Sequence, residues 1–592
     1  MHGKRCFLRS FFYGWIVFFS TATVVYAQTE RFVNIAETAG VANGGKSNGV
    51  AFGDFNNDGF EDIFVTRSRG DASLLFKNNG DNTFSDVTKD AGLQGLSDMA
   101  MSLWADFDND GDQDLFVISY DRGNHLYVNH GDETFTNISL QAGVAAASKG
   151  VSAAVADLDN DGFLDIYIAN FNRENILYRN NGDMTFTDII YQSGALDRGY
   201  AMGVTFCDYD NDGDQDLLLA HDGDAGNILY QNDGTGKFTD FASAANVKYA
   251  PLGMGVGFGD YNNDGHFDVY ITVLGQNPLY KNEGTGRFSR MDFVAKHAND
   301  PGMGWGLTWL DYDNDGYLDL YVANQSDFSP RMPNVLYRNA GNGSFSVPQN
   351  SEGTASMAPS YGTAHADINN DGQLDLFVTN DRQPDELYLN QGGAGNWLQV
   401  QLVGTVSNRD AIGARLKLDI NGLQCYREIN AGGGFISQNS RRQHIGLANA
   451  TRVDTLTVRW PSGTVEHYAN IPTNQKITIT EGVGIVTSVR QLSDANVPEN
   501  FDLHANYPNP FNPSTTIRFQ VGGQNAHSVR LAIFDVTGKL VKSVLDQSLV
   551  PGNYSVTWHG DDTGGSSVAS GGYVVKMTAG HVVKSRKMTL MK

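Results

Sequence analysis

Seven times along this chain of 592 residues an aspartate opens the pattern D-x-[DN]-x-D-G-x-x-D. Positions 1, 3, 5 and 9 supply Asp54, Asn56, Asp58 and Asp62; Asp106, Asp108, Asp110 and Asp114; Asp157, Asp159, Asp161 and Asp165; Asp208, Asp210, Asp212 and Asp216. The later copies supply Asp260, Asn262, Asp264 and Asp268; Asp311, Asp313, Asp315 and Asp319; Asp367, Asn369, Asp371 and Asp375. Those oxygens converge, and the backbone carbonyl of position 7 adds another, from Phe60, Asp112, Phe163, Asp214, His266, Tyr317 and Gln373. Such an oxygen cage suits a hard divalent cation. Of the 28 side-chain positions, 25 are carboxylates. Gathered so closely they repel unless a cation sits among them. A lone copy would read as a solvated acidic turn; seven in register argue for metal. Glycine at position 6 permits the sharp turn, and position 4 is always asparagine, which tolerates left-handed backbone. Position 2 is always apolar and is expected to anchor the loop inward. An EF-hand would need a bidentate Glu at position 12, where Val65, Val117, Ile168, Leu219, Ile271, Val322 and Val378 stand instead. Calcium fits better than magnesium, because an irregular loop does not impose strict octahedral geometry. About seven calcium ions are expected.

The elements that must hold these loops follow from their spacing. The copies begin 52, 51, 51, 52, 51 and 56 residues apart. Each is preceded by a small-residue strand such as Val50-Ala51-Phe52-Gly53 and followed by an apolar one such as Ile63-Phe64-Val65. Two further segments carry Leu-Tyr-x-Asn-like and Phe-x-Asp-like motifs, as in Leu229-Tyr230-Gln231-Asn232 and Phe186-Thr187-Asp188. Four short strands per roughly 50 residues predict an all-β fold, a seven-bladed β-propeller. A parallel β-helix is the alternative, but its coils are usually shorter. Glycines in the first strands, as in Gly253-Met254-Gly255-Val256-Gly257, let blades crowd the axis. Phe32-Val33-Asn34-Ile35 copies the outer-strand motif that the seventh unit lacks. It is expected to complete that unit and close the ring, removing two sheet edges.

These repeats resemble the FG-GAP/VCBS repeats of integrin α-subunit propellers and their bacterial relatives over about residues 30–395. The resemblance implies calcium held structurally between the first two strands of a blade. Residues 396–483 resemble an ASPIC/UnbV domain, as found in cartilage acidic proteins, through Ser407-Asn408-Arg409-Asp410-Ala411-Ile412-Gly413-Ala414, Gly432-Gly433-Gly434-Phe435, His444-Ile445-Gly446-Leu447 and Trp460-Pro461-Ser462-Gly463. Alternation such as Leu416-Lys417-Leu418-Asp419-Ile420 predicts a small β-domain there. His444, beside Arg441 and Arg442, is either an anion ligand or a hydrogen-bonded structural histidine. Residues 484–499 read as a polar linker. Residues 500–592 resemble Ig-like sorting domains of the type IX secretion system, through Asn506-Tyr507-Pro508-Asn509-Pro510-Phe511-Asn512-Pro513 and Phe534-Asp535-Val536-Thr537-Gly538. That resemblance implies passage through type IX machinery to the exterior or outer surface of a bacterium with an outer membrane; a plain structural Ig-like domain is the alternative.

Residues 1–27 read as an export signal: Lys4, Arg5 and Arg9, then an apolar run, then Val25-Tyr26-Ala27. The run is short for a membrane span, and none is expected in the mature chain. The net charge of −25 leaves no basic excess for nucleic acid. Three cysteines are too few for a disulfide scaffold; Cys207 and Cys425 read as buried small hydrophobes. Gly40–Ser47 fits a P-loop spelling and Gly45–Gly49 a serine-elbow spelling. Both need a strand before and a helix after, where a turn and a strand are expected. No catalytic residue is assigned. Metal-bound carboxylates stay ionised and suit acid–base work poorly. A ligand face is expected opposite the acidic loops, at Tyr120-Asp121-Arg122, Asn170-Phe171-Asn172-Arg173, His221-Asp222, Asn324-Gln325-Ser326-Asp327 and Asn380-Asp381-Arg382. An ordinary solvated rim is the plain alternative. The function expected is adhesion or recognition of a glycan or protein outside the cell. The alternative is an extracellular polysaccharide lyase or hydrolase on the same propeller.

Overall fold

The computed structural model describes residues 30–592 except 224, 250–251, 292–297, 299–300, 328, 394, 488–489, 493–497, 499, 513, 524–526, 550, 559, 563–567 and 581. The export signal expected at 1–27 lies outside the described residues. The fold is all-β, with only two four-residue α-helices and one 3-10 turn among the described residues. Each acidic pattern sits at one end of a four-stranded antiparallel meander. In the first, Gly44–Gly53 pairs with Asp62–Arg67, then Leu74–Asn78, then Phe84–Asp86. The order recurs along the chain to Ser360–Ala366, Asp375–Pro384 and Glu386–Asn390. The last of these pairs with Phe32–Asn34, placing Phe32 opposite Asn390. The N-terminal strand therefore supplies the missing outer edge. The meanders are antiparallel throughout, which excludes the parallel β-helix.

Register explains why the acidic segment is a loop of fixed size. Position 9 always faces the residue just before position 1: Gly53 opposite Asp62, Ala105 opposite Asp114, Cys207 opposite Asp216. The innermost strands lie side by side in chain order, and Ser360–Ala366 lies against Gly44–Gly53, so the array is a closed β-propeller. Alternate side chains of neighbouring sheets fill the space between them. Phe55, Phe64 and Leu75 of one sheet pack with Trp104, Leu115 and Phe135 of the next. The crowding reaches the backbone: a Cβ on Gly203 would lie 2.5 Å from the Met254 carbonyl oxygen, and one on Gly306 2.5 Å from that of Tyr361. Gly44–Gly53 is a strand, so neither the P-loop nor the serine-elbow spelling has its required context.

After the propeller, two four-stranded sheets run from Asn396–Val403 to Gly484–Thr487. They rest on the acidic-loop end of the ring. Their segment 431–440 enters the axis: Ala431 and Gly432 pair with Val155 and Ala154, and Ser437 and Gln438 pair with Val50 and Ala51. Gly434 and Val256 exchange two backbone hydrogen bonds, of 2.7 and 2.8 Å. The chain thus climbs one wall of the channel, turns at Gly434-Phe435-Ile436 and descends another. Gln438 repeats a backbone edge with its amide, accepting from Trp104 N–H at 2.8 Å and donating to the Trp104 carbonyl at 3.0 Å.

Within the stretch 484–499 expected as a linker, the described residues include two short strands. Gly484–Thr487 pairs with Gln475–Thr480, and Arg490–Leu492 pairs with Gly552–Trp558. Backbone edges on both sides recruit this polar stretch, which side-chain pattern alone does not reveal. The C-terminal region holds two further four-stranded sheets around a shared core of Ile517, Phe519, Leu531, Trp558, Val575 and Met577. Among the described residues its proline cluster makes isolated bridges, at Tyr507 and Phe511.

Candidate metal loops and the axial mouth

In each acidic loop the backbone folds around position 1. Asp54 Oδ1 accepts from Asp58 N–H at 2.9 Å and Oδ2 from Gly59 N–H at 2.8 Å. Asp106, Asp157, Asp260, Asp311 and Asp367 accept the same pair of donors. All seven position-4 asparagines are left-handed, with φ from 56 to 68°, as are all seven position-6 glycines. The apolar position 2 is buried in every copy, from Phe55 to Ile368. The position-9 aspartate is a clasp as well as a candidate ligand: Asp62 accepts from Phe55 N–H at 3.2 Å and from Asn78 N–H at 2.8 Å. One lone pair on each oxygen remains.

The carboxylates converge within 4.8 Å of one another as Asp106, Asp108 and Asp114; Asp157, Asp159 and Asp161; Asp208, Asp210 and Asp216; and Asp311, Asp313 and Asp315. In the other three loops position 3 is an asparagine. The amide oxygens of Asn56, Asn262 and Asn369 take the Asp58, Asp264 and Asp371 N–H groups. At position 5, Asp58, Asp110, Asp161, Asp212, Asp264, Asp315 and Asp371 edge the loops toward solvent. The side chains at position 7 turn away onto the next hairpin glycine: Phe60 covers Gly80, Phe163 covers Gly182 and Tyr317 covers Gly341.

Whether a dication suits these residues is answered by their unused oxygens. Asp159 Oδ1, Asp208 Oδ1, Asp216 Oδ2, Asp268 Oδ2 and Asp313 Oδ1 are buried without a hydrogen-bond partner among the described residues. An acceptor-only oxygen left so is costly unless a cation takes it. Burial first, and neighbouring carboxylates with it, lifts Asp54, Asp157 and Asp311 to about 7. The carboxyl of Asp106 rises to about 8, through burial and then Asp410. Without a dication these acids hold protons near neutrality; a bound dication reverses that preference. Among the described residues four loops carry a partial substitute, Lys281 lying 3.4 Å from Asp264 and Arg415 3.6 Å from Asp208 in two of them. Arg179 reaches Asp159 at 3.0 Å, and Arg338 reaches Asp313 at 2.7 Å. The donor set fits calcium.

Two functions of the repeat escape the reading from sequence. First, the asparagine of Leu-Tyr-x-Asn ties neighbouring sheets together. Asn129 Nδ2 donates to the Phe55 carbonyl at 2.7 Å, Asn180 to Phe107 at 3.0 Å and Asn232 to Leu158 at 3.0 Å. Asn282, Asn339 and Asn390 follow suit, and Asn78 closes the circuit onto Ile368. Second, position-4 asparagines bridge loop to loop: Asn109 donates to the Gly162 carbonyl, Asn314 to Gly372 and Asn370 to Gly59. The recurrence of both residues in every copy is the signal from which these roles could have been suspected.

The following domain covers the loops with polar groups the sequence did not assign there. Asp410 accepts from Asp106 N–H and from Gln113 Nε2. Gly446 N–H donates to Asp311 and Gln399 donates to Asp367. Arg415 contacts Asp208 and Asn211 while pairing with Glu428 at 2.7 Å. Lys476 donates to the Gly59 carbonyl and Asn370, both at 3.0 Å, and burial pushes its ammonium down to about 7. His444 is the structural histidine rather than the anion ligand. Its Nε2 meets Asn314 Oδ1 at 2.6 Å, its ring stacks on Trp397, and burial lowers it to about 3. Cys207 and Cys425 are buried free thiols.

At the opposite end of the axis the structure brings together residues expected on the ligand face. A cavity of about 340 Å³ is lined by Tyr120, Asp121 and Phe171, with Lys46, Lys149, Trp305 and Tyr361 from the starts of innermost strands. Its floor is Phe435, 2% exposed, the tip of the axial segment. Trp305 packs on Phe435 and Tyr361, with ring centroids 4.9 and 5.1 Å apart. Arg122, Arg173, Asp222 and Asp327 are absent from the lining. His221 is buried against Asp197, 3.2 Å away.

The FG-GAP-like repeat family matches residues 54–117, 106–168, 157–219, 208–271, 260–322 and 311–378, together more than half of the chain. The ASPIC and UnbV family matches residues 404–486, and the FlgD Ig-like domain matches residues 509–581. Cartilage acidic protein 1 of Mus musculus is 24% identical over 457 residues, covering 70% of each chain. The Xenopus tropicalis protein of the same name is 26% identical over 461 residues, again with 70% of each chain covered. Among solved structures, an Agrocybe aegerita lectin covers 60% of this chain and 86% of its own at 18% identity, with a TM-score of 0.34.

Proposed function

Because this chain belongs to the FG-GAP-like repeat proteins, we propose that it is an exported, calcium-stabilised seven-bladed propeller that recognises a glycan or protein outside the cell. The observation that carries the recognition reading is the aromatic cavity at the axial mouth, opposite the acidic loops and floored by Phe435. Concave, aromatic-lined sites with few polar groups are where small ligands and chain ends bind. Each acidic loop takes one calcium through positions 1, 3, 5, 7 and 9. The bound ion supplies positive charge that holds the loop carboxylates ionised. Asp54 and its counterparts shape the loop by accepting their own backbone, and Asp62 and its counterparts clasp the strands beneath.

The C-terminal region is proposed as the Ig-like sorting domain of type IX secretion, delivering the chain to the outer surface of a bacterium with an outer membrane. No helix among the described residues is long and apolar enough to cross a membrane. One observation favours a polysaccharide lyase or hydrolase instead: Lys46 and Lys149 share the cavity wall with Tyr120 and Tyr361. Incubating calcium-loaded protein on glycan and protein arrays, then assaying the same glycans for chain scission, tests both. Retention without scission is expected; scission would replace the recognition reading with the enzymatic one.

A further inference from the structure

The cavity wall is chemically lopsided. Lys46 and Lys149 are half-buried in it, and neither ammonium makes an ion pair or hydrogen bond among the described residues. Burial is the main influence disfavouring the charged form of Lys46; Asp381 favours it, and Arg69 and Arg382 add smaller repulsions. Asp381 is itself paired with Arg382 at 3.4 Å. Among the described residues the one carboxylate on the lining is Asp121, exposed at the rim. In a chain of net charge −25 this is a local excess of cation. Two ammoniums without an ion-pair partner, on a lining shared with aromatic rings, call for an anion attached to something with an apolar face. The exposed acceptor at the rim calls for hydroxyl donors.

Resting on the recognition reading above, we propose that the axial cavity binds an acidic pyranose, a hexuronate unit of a polysaccharide. Its carboxylate lies between Lys46 and Lys149, its C–H face on Trp305 and Tyr361, and a hydroxyl donates to Asp121. A volume of about 340 Å³ seats one ring and leaves its neighbour in the mouth; it falls at the small end of ligand sites, roughly 300–1,000 Å³. A neutral sugar would leave both ammoniums without a partner. A simple aromatic acid would leave Asp121 unused.

Calorimetric titration of the calcium-loaded full chain with trimers of galacturonate, glucuronate, mannuronate and guluronate tests this, with each trimer's methyl ester and benzoate alongside. At least one acidic trimer is expected to bind tenfold or more tightly than its ester, and more tightly than benzoate. Lys46→Gln with Lys149→Gln should lose that preference by tenfold or more, and Lys149→Gln alone part of it. Both variants should keep the wild-type melting temperature. An ester binding as well as its acid, or benzoate binding as well as any trimer, would overturn the proposal. So would silence from all four trimers. If arrays still retain the protein in that case, recognition stands and only the uronate assignment falls; if arrays are silent too, both fall.

Discussion

At the scale of single residues, the asparagines do as much as the aspartates. Asn180 Nδ2 donates to the Phe107 carbonyl, and its Oδ1 accepts from Gly182 N–H at 3.0 Å. Asn180→Ala strands the buried Phe107 carbonyl, at a cost of about 1–3 kcal/mol, while the Gly182 N–H lies on an exposed residue open to water. Urea denaturation should show a loss of that order, and a change under ~0.5 kcal/mol would deny the latch. His444 makes a pH-dependent contribution. Its folded-state value is lowered to about 3 against an ordinary 6.5. Between those values the unfolded chain binds the extra proton, so this stability is complete above pH 6.5 and drains as pH falls toward 3. His444→Gln keeps an amide donor toward Asn314 and should flatten the fall in melting temperature between pH 7 and pH 4.5. An unchanged slope would contradict the assignment. The acidic pattern itself was legible because ligand type, turn glycine and left-handed asparagine all recur in the chain. The Asn180 latch was not, since its acceptor is a backbone carbonyl 73 residues away.

At the scale of elements, the axial segment 431–440 is the feature that sequence concealed. Gly432-Gly433-Gly434-Phe435 reads as a loop of a small β-domain, and nothing local says that it enters the axis of another. The glycines of the inner strands are the complementary evidence. A Cβ on Gly255 would meet the Gly434 carbonyl oxygen at 2.8 Å, and one on Gly362 would meet Ser437 Oγ at 2.8 Å. Gly255 belongs to the glycines expected to let blades crowd the axis, and it and Gly362 also admit the plug. Phe435→Ala removes a buried ring and should cost about 3–5 kcal/mol. It should also abolish binding at the mouth, because Trp305 loses its support. Differential scanning calorimetry with a parallel binding assay would check it; full stability or intact binding would count against the plug as the floor of the cavity. By contrast Phe32–Asn34 was legible as a displaced outer strand, since its motif repeats and its register partner lacked one.

At the scale of the whole molecule, the ring is closed twice, by the N-terminal strand on Glu386–Asn390 and by the Asn78 latch to Ile368. Deleting residues 30–35 should open the ring, broaden the unfolding transition and lower its midpoint. A deletion melting like the full chain would show that closure is unimportant. The periodic architecture was readable because 50-residue repetition restricts the fold so severely. The docking of the ASPIC/UnbV-matching domain on the acidic loops was not, because it depends on backbone donors such as Gly446 N–H and on scattered bases such as Arg415 and Lys476. If calcium clamps the loops, removing it should lower the melting temperature of propeller and docked domain together. At affinities near 0.1–1 mM, about 10 mM calcium stabilises by roughly 1.5–3 kcal/mol per site.

The central claim is that a dication neutralises each clustered loop, and the number of ions bound addresses it most directly. Flow dialysis of metal-stripped full-length chain against millimolar radiolabelled calcium gives that number. About seven ions per molecule, or at least the four of the loops whose carboxylates converge, is the predicted result. A folded, stable protein that takes up essentially none would contradict it.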